Sequence, residues 1–203
     1  MQIRELSVPD SYEITPILRQ DDRGVFLEYY RFDRLEEAVG HPLNLRQANT
    51  SVSKKGVVRG IHYADVPLGQ AKYVTCTHGA VLDFVVDIRV GSPTFGSWDS
   101  VRLDDVDFRS IYIAEGLGHA FIALTEGATV SYLVSDVYNP VRERGINPLD
   151  TTIGLVFPME AGRPLLSEKD VEAPSLEEAA VSGLLPELHL VSEFYNSLSQ
   201  TGA

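Results

Sequence analysis

The chain has 203 residues, which is enough for one domain with a full hydrophobic core. Its 44% hydrophobic and 23% charged fractions are those of an ordinary soluble protein, and its net charge of -12 argues against the broad basic surface that nucleic-acid binding needs. No apolar run approaches the ~20 residues that span a bilayer. We therefore expect neither nucleic acid nor a membrane as a partner.

The compartment is predicted from two features of the sequence. The N-terminal residues lack the basic stretch and apolar core of a secretory signal. The single cysteine, Cys76, rules out an internal disulfide and fits a reducing environment. We therefore expect a cytoplasmic protein.

In chain order, the first predicted element is a short helix from Phe32 to Val39. Six short segments rich in β-branched or aromatic residues follow, and glycine, proline or acidic turns separate them. Within the third of these segments, Leu82, Phe84 and Val86 alternate with other residues, as the side chains on one face of a strand do. The predicted strands are 57–63, 71–77, 80–88, 110–114, 119–124 and 129–136. Their number and spacing indicate an antiparallel sandwich or barrel.

Helical patterns return near the C-terminus. Ser175 and Glu178 have the spacing of a capping box before an apolar stretch, and a further helix is predicted from Pro186 to about Leu198. No internal repeat or low-complexity linker is visible. We therefore predict one domain over residues 1–203, with a β core to about residue 165 and a helical extension over about 166–203.

Polar residues within the predicted strands are the candidates for chemistry. Lys72 alternates with Val74 and Cys76, and an unpaired charge directed inward would be strongly unfavourable without a partner or ligand. On spacing alone, an outer-face position for Lys72 with its stem along the sheet fits better. Considered alone, His62 fits a structural role better than a catalytic one. Tyr132 likewise fits a position in the core or at the rim, because tyrosine is common in strands.

Several site classes lack their usual sequence patterns. The five histidines include no His-x-His pair, and no cysteine cluster exists, so no metal site is predicted. There is also no dinucleotide-binding glycine loop, no Gly-Lys-Ser/Thr phosphate loop and no Gly-x-Ser-x-Gly elbow. We expect no cofactor.

Seven short motifs, in the same order, resemble those of the dTDP-4-dehydrorhamnose 3,5-epimerase family, and the resemblance covers the chain from about Tyr12 to Leu185. They are Asp22-Arg23-Gly24-Val25-Phe26-Leu27-Glu28, Gln47-Ala48-Asn49-Thr50-Ser51, Gly56-Val57-Val58-Arg59-Gly60-Ile61-His62-Tyr63, Gln70-Ala71-Lys72-Tyr73-Val74, Val86-Asp87-Ile88-Arg89-Val90-Gly91-Ser92-Pro93-Thr94-Phe95-Gly96, Gly116-Leu117-Gly118-His119-Ala120-Phe121 and Leu166-Ser167-Glu168-Lys169-Asp170. The resemblance implies an all-β, cupin-like double-stranded β-helix (jelly roll) with short helical segments at both ends. It also implies a homodimer that works without a metal.

The resemblance assigns four catalytic roles. His62 would be the general base, and Asp170 the carboxylate that orients it. Lys72 would neutralise the enolate oxygen, and Tyr132 would be the acid on the opposite face of the sugar. The remaining positions implied for substrate binding are Arg23, Glu28, Gln47, Asn49, Arg59, His119, Tyr138, Glu143 and Lys169.

One conflict with the strand pattern follows. Strict alternation places Arg59 and His62 on opposite faces of their strand. A β-bulge at Gly60 would bring both side chains to the same face.

The function implied is epimerisation at carbons 3 and 5 of dTDP-4-dehydro-6-deoxy-D-glucose, which gives dTDP-4-dehydro-L-rhamnose. Both carbons flank a ketone, so a base, an acid and a cation near the oxyanion suffice. One alternative is a relative that inverts carbon 3 or carbon 5 only, in antibiotic deoxysugar synthesis. Others are a non-catalytic cupin-like protein that binds sugar nucleotides, or a ketoisomerase on the same scaffold.

Overall fold

The computed structural model describes the backbone of residues 1–201 and the side chains of residues 1–198. Within that part of the chain, the strands form two large antiparallel sheets and one separate hairpin. The first sheet has the order β1 (Gln2–Glu5), β2 (Ser11–Thr15), β10 (Ser110–Ile113), β7 (Lys72–His78), β12 (Ala128–Val134) and β5 (Gln47–Ser53). The second has the order β13 (Glu143–Gly145), β6 (Val58–Ala64), β11 (Gly118–Ala123), β8 (Ala80–Val86) and β9 (Trp98–Asp104). The hairpin consists of β3 (Arg19–Asp21) and β4 (Gly24–Phe26).

The second sheet separates two hydrophobic cores, and the alternation in β8 shows how. Val81 and Val85 pack with residues of the first sheet in the core between the sheets. Phe84 and Val86 pack in a second core, which the segment after β13 covers. The predicted alternation is thus confirmed, and the arrangement is the expected jelly roll.

The helices lie at the two ends of the chain, as predicted. Helix α1 (Phe32–Val39) has the predicted bounds and ends where Gly40 adopts a left-handed conformation with φ 88°. Helix α3 (Leu176–Val181) follows the predicted capping box, in which Ser175 and Glu178 bond each other's backbone N–H groups. Helix α4 (Leu188–Thr201) begins two residues later than predicted, because residues 186–187 pair with Val90 as extended backbone. Helix α2 (Glu168–Val171) and a 3₁₀ turn (Met159–Ala161) were not predicted. None of the described helices is long and apolar enough to cross a membrane.

The six predicted strands all exist, with ends that differ by at most two residues. The third ends at Val86 because the next residue, Asp87, turns into a buried polar cluster. Its carboxylate accepts hydrogen bonds from Arg89, Ser92 and Thr94. Satisfying that buried charge ends the regular ladder.

A β-bulge interrupts β6 at Gly60 and Ile61. His119 lies opposite His62 and Phe121 lies opposite Arg59, so three steps along β6 match two steps along β11. Gly60 has φ 114°, and a Cβ atom there would lie 2.3 Å from the carbonyl oxygen of His119. The bulge predicted from the sequence is therefore confirmed, and it directs Arg59 and His62 to the same side.

We predict that Gly60→Ala destabilises the protein beyond the effect of backbone conformation alone. Gly127→Ala is the matched control, because Gly127 has φ 71° and open space around its Cα. The control should lose about 1–2 kcal/mol of unfolding free energy. Gly60→Ala should lose about 2 kcal/mol more, since its methyl group meets backbone. Urea unfolding of both variants measures the difference, and equal losses would contradict a tight bulge.

Candidate active site

A polar cleft lies between the two sheets, with a volume of about 270 Å³. Side chains from both sheets and from the C-terminal segment line it: Gln47, Asn49, His62, Gln70, Lys72, Tyr132, Tyr138, Glu143, Arg144 and Lys169. An adjoining cleft of about 290 Å³ shares His62 and Lys169, and it adds Arg59, Ser167 and Asp170. The two clefts together form the candidate active site.

Lys72 lies inside the sandwich, so the outer-face reading of its position was wrong. It lies opposite Val134 of β12, and only 6% of the residue is exposed to solvent. Within the described side chains, no atom accepts a hydrogen bond from its ammonium, which is therefore available to a ligand. Burial lowers the pKa of Lys72, and the negative charges of Glu143 and Glu115 oppose that shift.

Tyr132 occupies the neighbouring strand of the first sheet, where it lies opposite Val74 on one side and Asn49 on the other. It is half-buried in the cleft wall. Burial raises the pKa of Tyr132, the Arg59 guanidinium opposes the shift, and Glu143 adds to it. The phenol therefore holds its proton at neutral pH and can donate it.

His62 and Asp170 form the shortest histidine–carboxylate contact of the site. The Nε2 atom of His62 lies 2.7 Å from Oδ1 of Asp170. Ser167 donates from its hydroxyl to Oδ2 of Asp170 at 2.7 Å and also caps the helix α2 that carries it. Burial raises the pKa of Asp170, but the hydrogen bonds from His62 and Ser167 outweigh it and hold that pKa below the ordinary value. A fixed carboxylate of this kind orients the imidazole and stabilises its protonated form.

A second histidine–carboxylate pair lies next to the first. His119 faces His62 across the β6–β11 ladder, and its Nε2 atom lies 2.9 and 3.0 Å from the two carboxylate oxygens of Asp83. Both residues are buried. His119 thus lies beside His62 in the interior of the sandwich rather than at the cleft surface.

Hydrogen bonds connect other predicted residues that line the clefts. Gln47 donates to Asn49 at 2.7 Å and accepts a hydrogen bond from the backbone N–H of Tyr138 at 3.0 Å. Arg59 reaches across to the first sheet, where its Nε donates to Ser53 at 3.1 Å. These links connect the strand edges that frame the cleft.

Besides His119, two predicted residues lie away from the clefts. The side chain of Arg23 is 90% exposed and pairs with Asp21 in the β3–β4 hairpin, and Glu28 pairs with Arg31 just beyond it. Neither residue lines the clefts of its own chain.

Sequence analysis gave no role to Gln70, Arg144 and Ser167. Gln70 and Arg144 line the main cleft, and Arg144 pairs with Asp65. Of these three residues, Ser167 could have been predicted from the sequence, because a serine three residues before an aspartate has the spacing of a helix N-cap. Across the part of the chain that the structure describes, no group of three or more His, Cys, Asp or Glu side chains could hold a metal ion.

Known proteins resemble the chain over most of its length. The family model described as dTDP-4-dehydrorhamnose 3,5-epimerase matches residues 5–178. A dTDP-4-dehydrorhamnose 3,5-epimerase of Mycolicibacterium smegmatis is 56% identical over 92% of this chain and 91% of its own length. A dTDP-4-dehydrorhamnose 3-epimerase of Streptomyces niveus is 55% identical over 92% and 89%. The solved structure of an epimerase from Mycobacterium tuberculosis superposes with a TM-score of 0.95 at 49% identity, covering 98% of this chain and 100% of that one.

We predict that Glu143→Gln lowers the pKa of Lys72 further. The Glu143 carboxylate favours the charged ammonium, so its removal leaves the effect of burial less opposed. Titration of the ¹³C-labelled Lys72 ε-methylene by NMR measures the change. Glu126→Gln removes a carboxylate from the turn before β12, at the far end of β7, and should leave the titration unchanged. An unaltered Lys72 titration in Glu143→Gln would contradict this electrostatic coupling.

Proposed function

We propose that this chain, which belongs to the dTDP-4-dehydrorhamnose 3,5-epimerase family, converts dTDP-4-dehydro-6-deoxy-D-glucose into dTDP-4-dehydro-L-rhamnose. The observation that carries the proposal is the composition of one cleft. It holds a carboxylate-paired histidine, a buried lysine without a hydrogen-bond acceptor among the described side chains, and a tyrosine that keeps its proton. No redox group is required for inversion next to a ketone.

The positions of these side chains suit a base and an acid on opposite faces of a sugar ring. His62 belongs to the second sheet and Tyr132 to the first, so a ring bound between the sheets has one on each side. His62 takes the hydrogen next to the ketone as a proton, and the electron pair moves to the carbonyl oxygen. The Lys72 ammonium stabilises that oxyanion, and Tyr132 then gives a proton to the opposite face.

The binding roles extend from the same geometry. Arg59 at the adjoining cleft would bind the diphosphate, and the buried His119, held by Asp83 beside His62, would support the sugar side. The exposed ring of Tyr138 can stack on the thymine, near Gln47 and Asn49. Glu143 and Lys169 would bound the pocket.

Inversion at a single carbon is the second candidate, because a 3-epimerase is as similar to this chain as a 3,5-epimerase is. The two activities need the same acid and base. An NMR assay with dTDP-4-keto-6-deoxyglucose in deuterated water separates them. Deuterium and inversion at both carbons support the double epimerase, and inversion at one carbon supports the single one. No exchange at either carbon would refute both.

We predict that His62→Ala lowers exchange at both carbons by at least about 100-fold, the range that a general base contributes. Tyr132→Phe should still allow deprotonation but should form little inverted product. His78→Ala is the matched control, since His78 pairs with Asp105 at the far end of β7 and is largely exposed. Substantial turnover by His62→Ala, or unchanged inversion by Tyr132→Phe, would remove that residue from its role.

We further propose that the protein is a homodimer that forms through the hairpin arm, defined as residues 17–28. Ile17, Leu18, Val25 and Phe26 are exposed apolar side chains on this arm. Four exposed apolar side chains on one short arm favour contact with another protein. Since Arg23 and Glu28 lie on the arm and away from their own cleft, contact with a second copy is what would bring them to a substrate.

We expect Phe26→Asp to convert the dimer into a monomer, because a charge on the 65%-exposed Phe26 position would have to be buried. Light scattering after size-exclusion chromatography measures the mass. Val181→Asp changes an equally apolar, 84%-exposed position on α3 and should stay dimeric. A Phe26→Asp variant with the wild-type dimer mass would contradict the arm contact.

We also propose that the protein is cytoplasmic. Cys76 is a free, buried thiol. This state agrees with a reducing compartment and supports the cytoplasm.

A further inference from the structure

Glu115 is a buried carboxylate outside the two clefts. It lies in the turn between β10 and β11, and only 3% of the residue is exposed. Its Oε1 atom accepts a hydrogen bond from the Ser135 hydroxyl at 2.9 Å, while Oε2 is buried with no hydrogen-bond partner among the described residues. A partly satisfied buried carboxylate is unfavourable, so its presence needs a reason.

Ser135 links Glu115 to the strand that carries Lys72. The Ser135 hydroxyl accepts the backbone N–H of Ala71 at 2.8 Å, and the Ser135 N–H donates to the Ala71 carbonyl at 3.1 Å. Ala71 directly precedes Lys72, which is the first residue of β7. Through the Ser135 hydroxyl, the position of the Glu115 carboxylate therefore affects the position of Ala71, the residue before the lysine.

Glu115 also contacts the loop that leads into β7. Gly69 has φ 61°, and a Cβ atom there would lie 2.6 Å from the Glu115 Cβ. The next residue, Gln70, donates from its side chain to the Asp136 carbonyl at 3.0 Å. The loop before β7 is thus held by its contact with Glu115 on one side and by its hydrogen bond to Asp136, just after β12, on the other.

The C-terminal helix α4 holds the turn that carries Glu115. The Tyr195 hydroxyl donates to the Glu115 carbonyl oxygen, and Val191 lies where a side chain on Gly116 would be. A cavity of about 400 Å³ lies beside these contacts, lined by Leu68, Glu115, Ser135, Phe194 and other residues. The hydrogen bonds that Ala71 and Gln70 make to Ser135 and Asp136 hold the start of β7 beside this cavity.

We propose that Glu115 is a positioning residue for Lys72: by accepting the Ser135 hydrogen bond and packing on Gly69, it sets the depth of the lysine ammonium in the cleft. This inference rests on the proposed function for its kinetic consequence. When ionised, the Glu115 carboxylate also favours the charged ammonium, as that of Glu143 does from the cleft, and burial raises the pKa of Glu115 itself. A displacement of about 1 Å at a reacting group can lower a rate by about 100-fold.

The test compares Glu115→Ala, Glu115→Gln and Ser135→Ala in the exchange assay. We expect Glu115→Ala to lower kcat by about 10–100-fold with KM within about twofold of wild type, since the lysine acts on the oxyanion. Glu115→Gln keeps an oxygen that can accept from Ser135 and should retain kcat within about threefold. Ser135→Ala should lower kcat as well, and the double alanine variant should be no worse than Glu115→Ala, because both act through one link.

Thr125→Val is the matched control. The Thr125 hydroxyl accepts the Ala80 N–H at 2.9 Å, as Ser135 does for Ala71, but at the other end of the sandwich. It should lose comparable thermal stability with kcat unchanged. Wild-type kcat in folded Glu115→Ala, an equal loss in Thr125→Val, or a loss in Glu115→Gln as large as in Glu115→Ala would each overturn the proposal.

A crystal structure of Glu115→Ala, or of Ser135→Ala where the first variant does not fold, gives a readout that needs no activity. We expect the Lys72 Nζ atom to move by about 1 Å. An unmoved Nζ would overturn the positioning role even in an active enzyme. Wild-type protein without exchange activity would instead refute the proposed function, and the displaced lysine would still be seen.

Discussion

The extra residue in β6 at Gly60–Ile61 decides which side chains meet in the cleft. In a regular strand, Arg59 and His62 would point to opposite faces, one into the sandwich and one into the second core. The bulge shifts the register against β11 by one residue, so that both turn inward. Only glycine fits, because the backbone of His119 and Ala120 occupies the space of a side chain. The position of the base and the approach of the guanidinium toward Tyr132 both depend on this local irregularity.

Burial of charge is the second constraint on the site. Moving an ammonium from water into the sandwich is unfavourable by several kcal/mol unless other charges compensate. Lys72 is balanced by Glu143 at the cleft and by Glu115 at the cavity, and no described side chain accepts a hydrogen bond from it. His62 has the opposite arrangement, with a carboxylate at 2.7 Å. A base needs a partner that fixes its ring, whereas a cation that must meet an oxyanion needs an open position.

The sequence predicted the fold class, the positions of the central strands and most residues of the cleft. Patterns of period two placed β7, β8 and β12, and the capping box placed α3, because these signals depend on neighbouring residues only. The strands β1, β3 and β13 are three or four residues long and mostly polar, and β4, with Val25 and Phe26, has only three residues. Nothing local distinguishes them from loops, since their partners come from distant parts of the chain.

Lys72 shows where local reasoning fails. Its alternation with Val74 and Cys76 was correct, but spacing alone could not tell the inner face from the outer one. The decision depends on Glu115 and Glu143, which are 43 and 71 residues further along the chain and reach the lysine only in the folded sandwich. The resemblance assigned the lysine its role, and the structure supplies the physical reason it can lie there.

The C-terminal extension then gains a role that its sequence does not reveal. Helix α2 carries Asp170 to His62 of the second sheet. Helix α4 fixes the turn of Glu115, whose bond to Ser135 reaches the start of β7 in the first sheet. Base and cation lie on different sheets, so their separation depends on how the sheets are held relative to each other. A segment that contacts the supports of both is suited to keep that separation constant, which two sheets joined only by apolar packing would do less strictly.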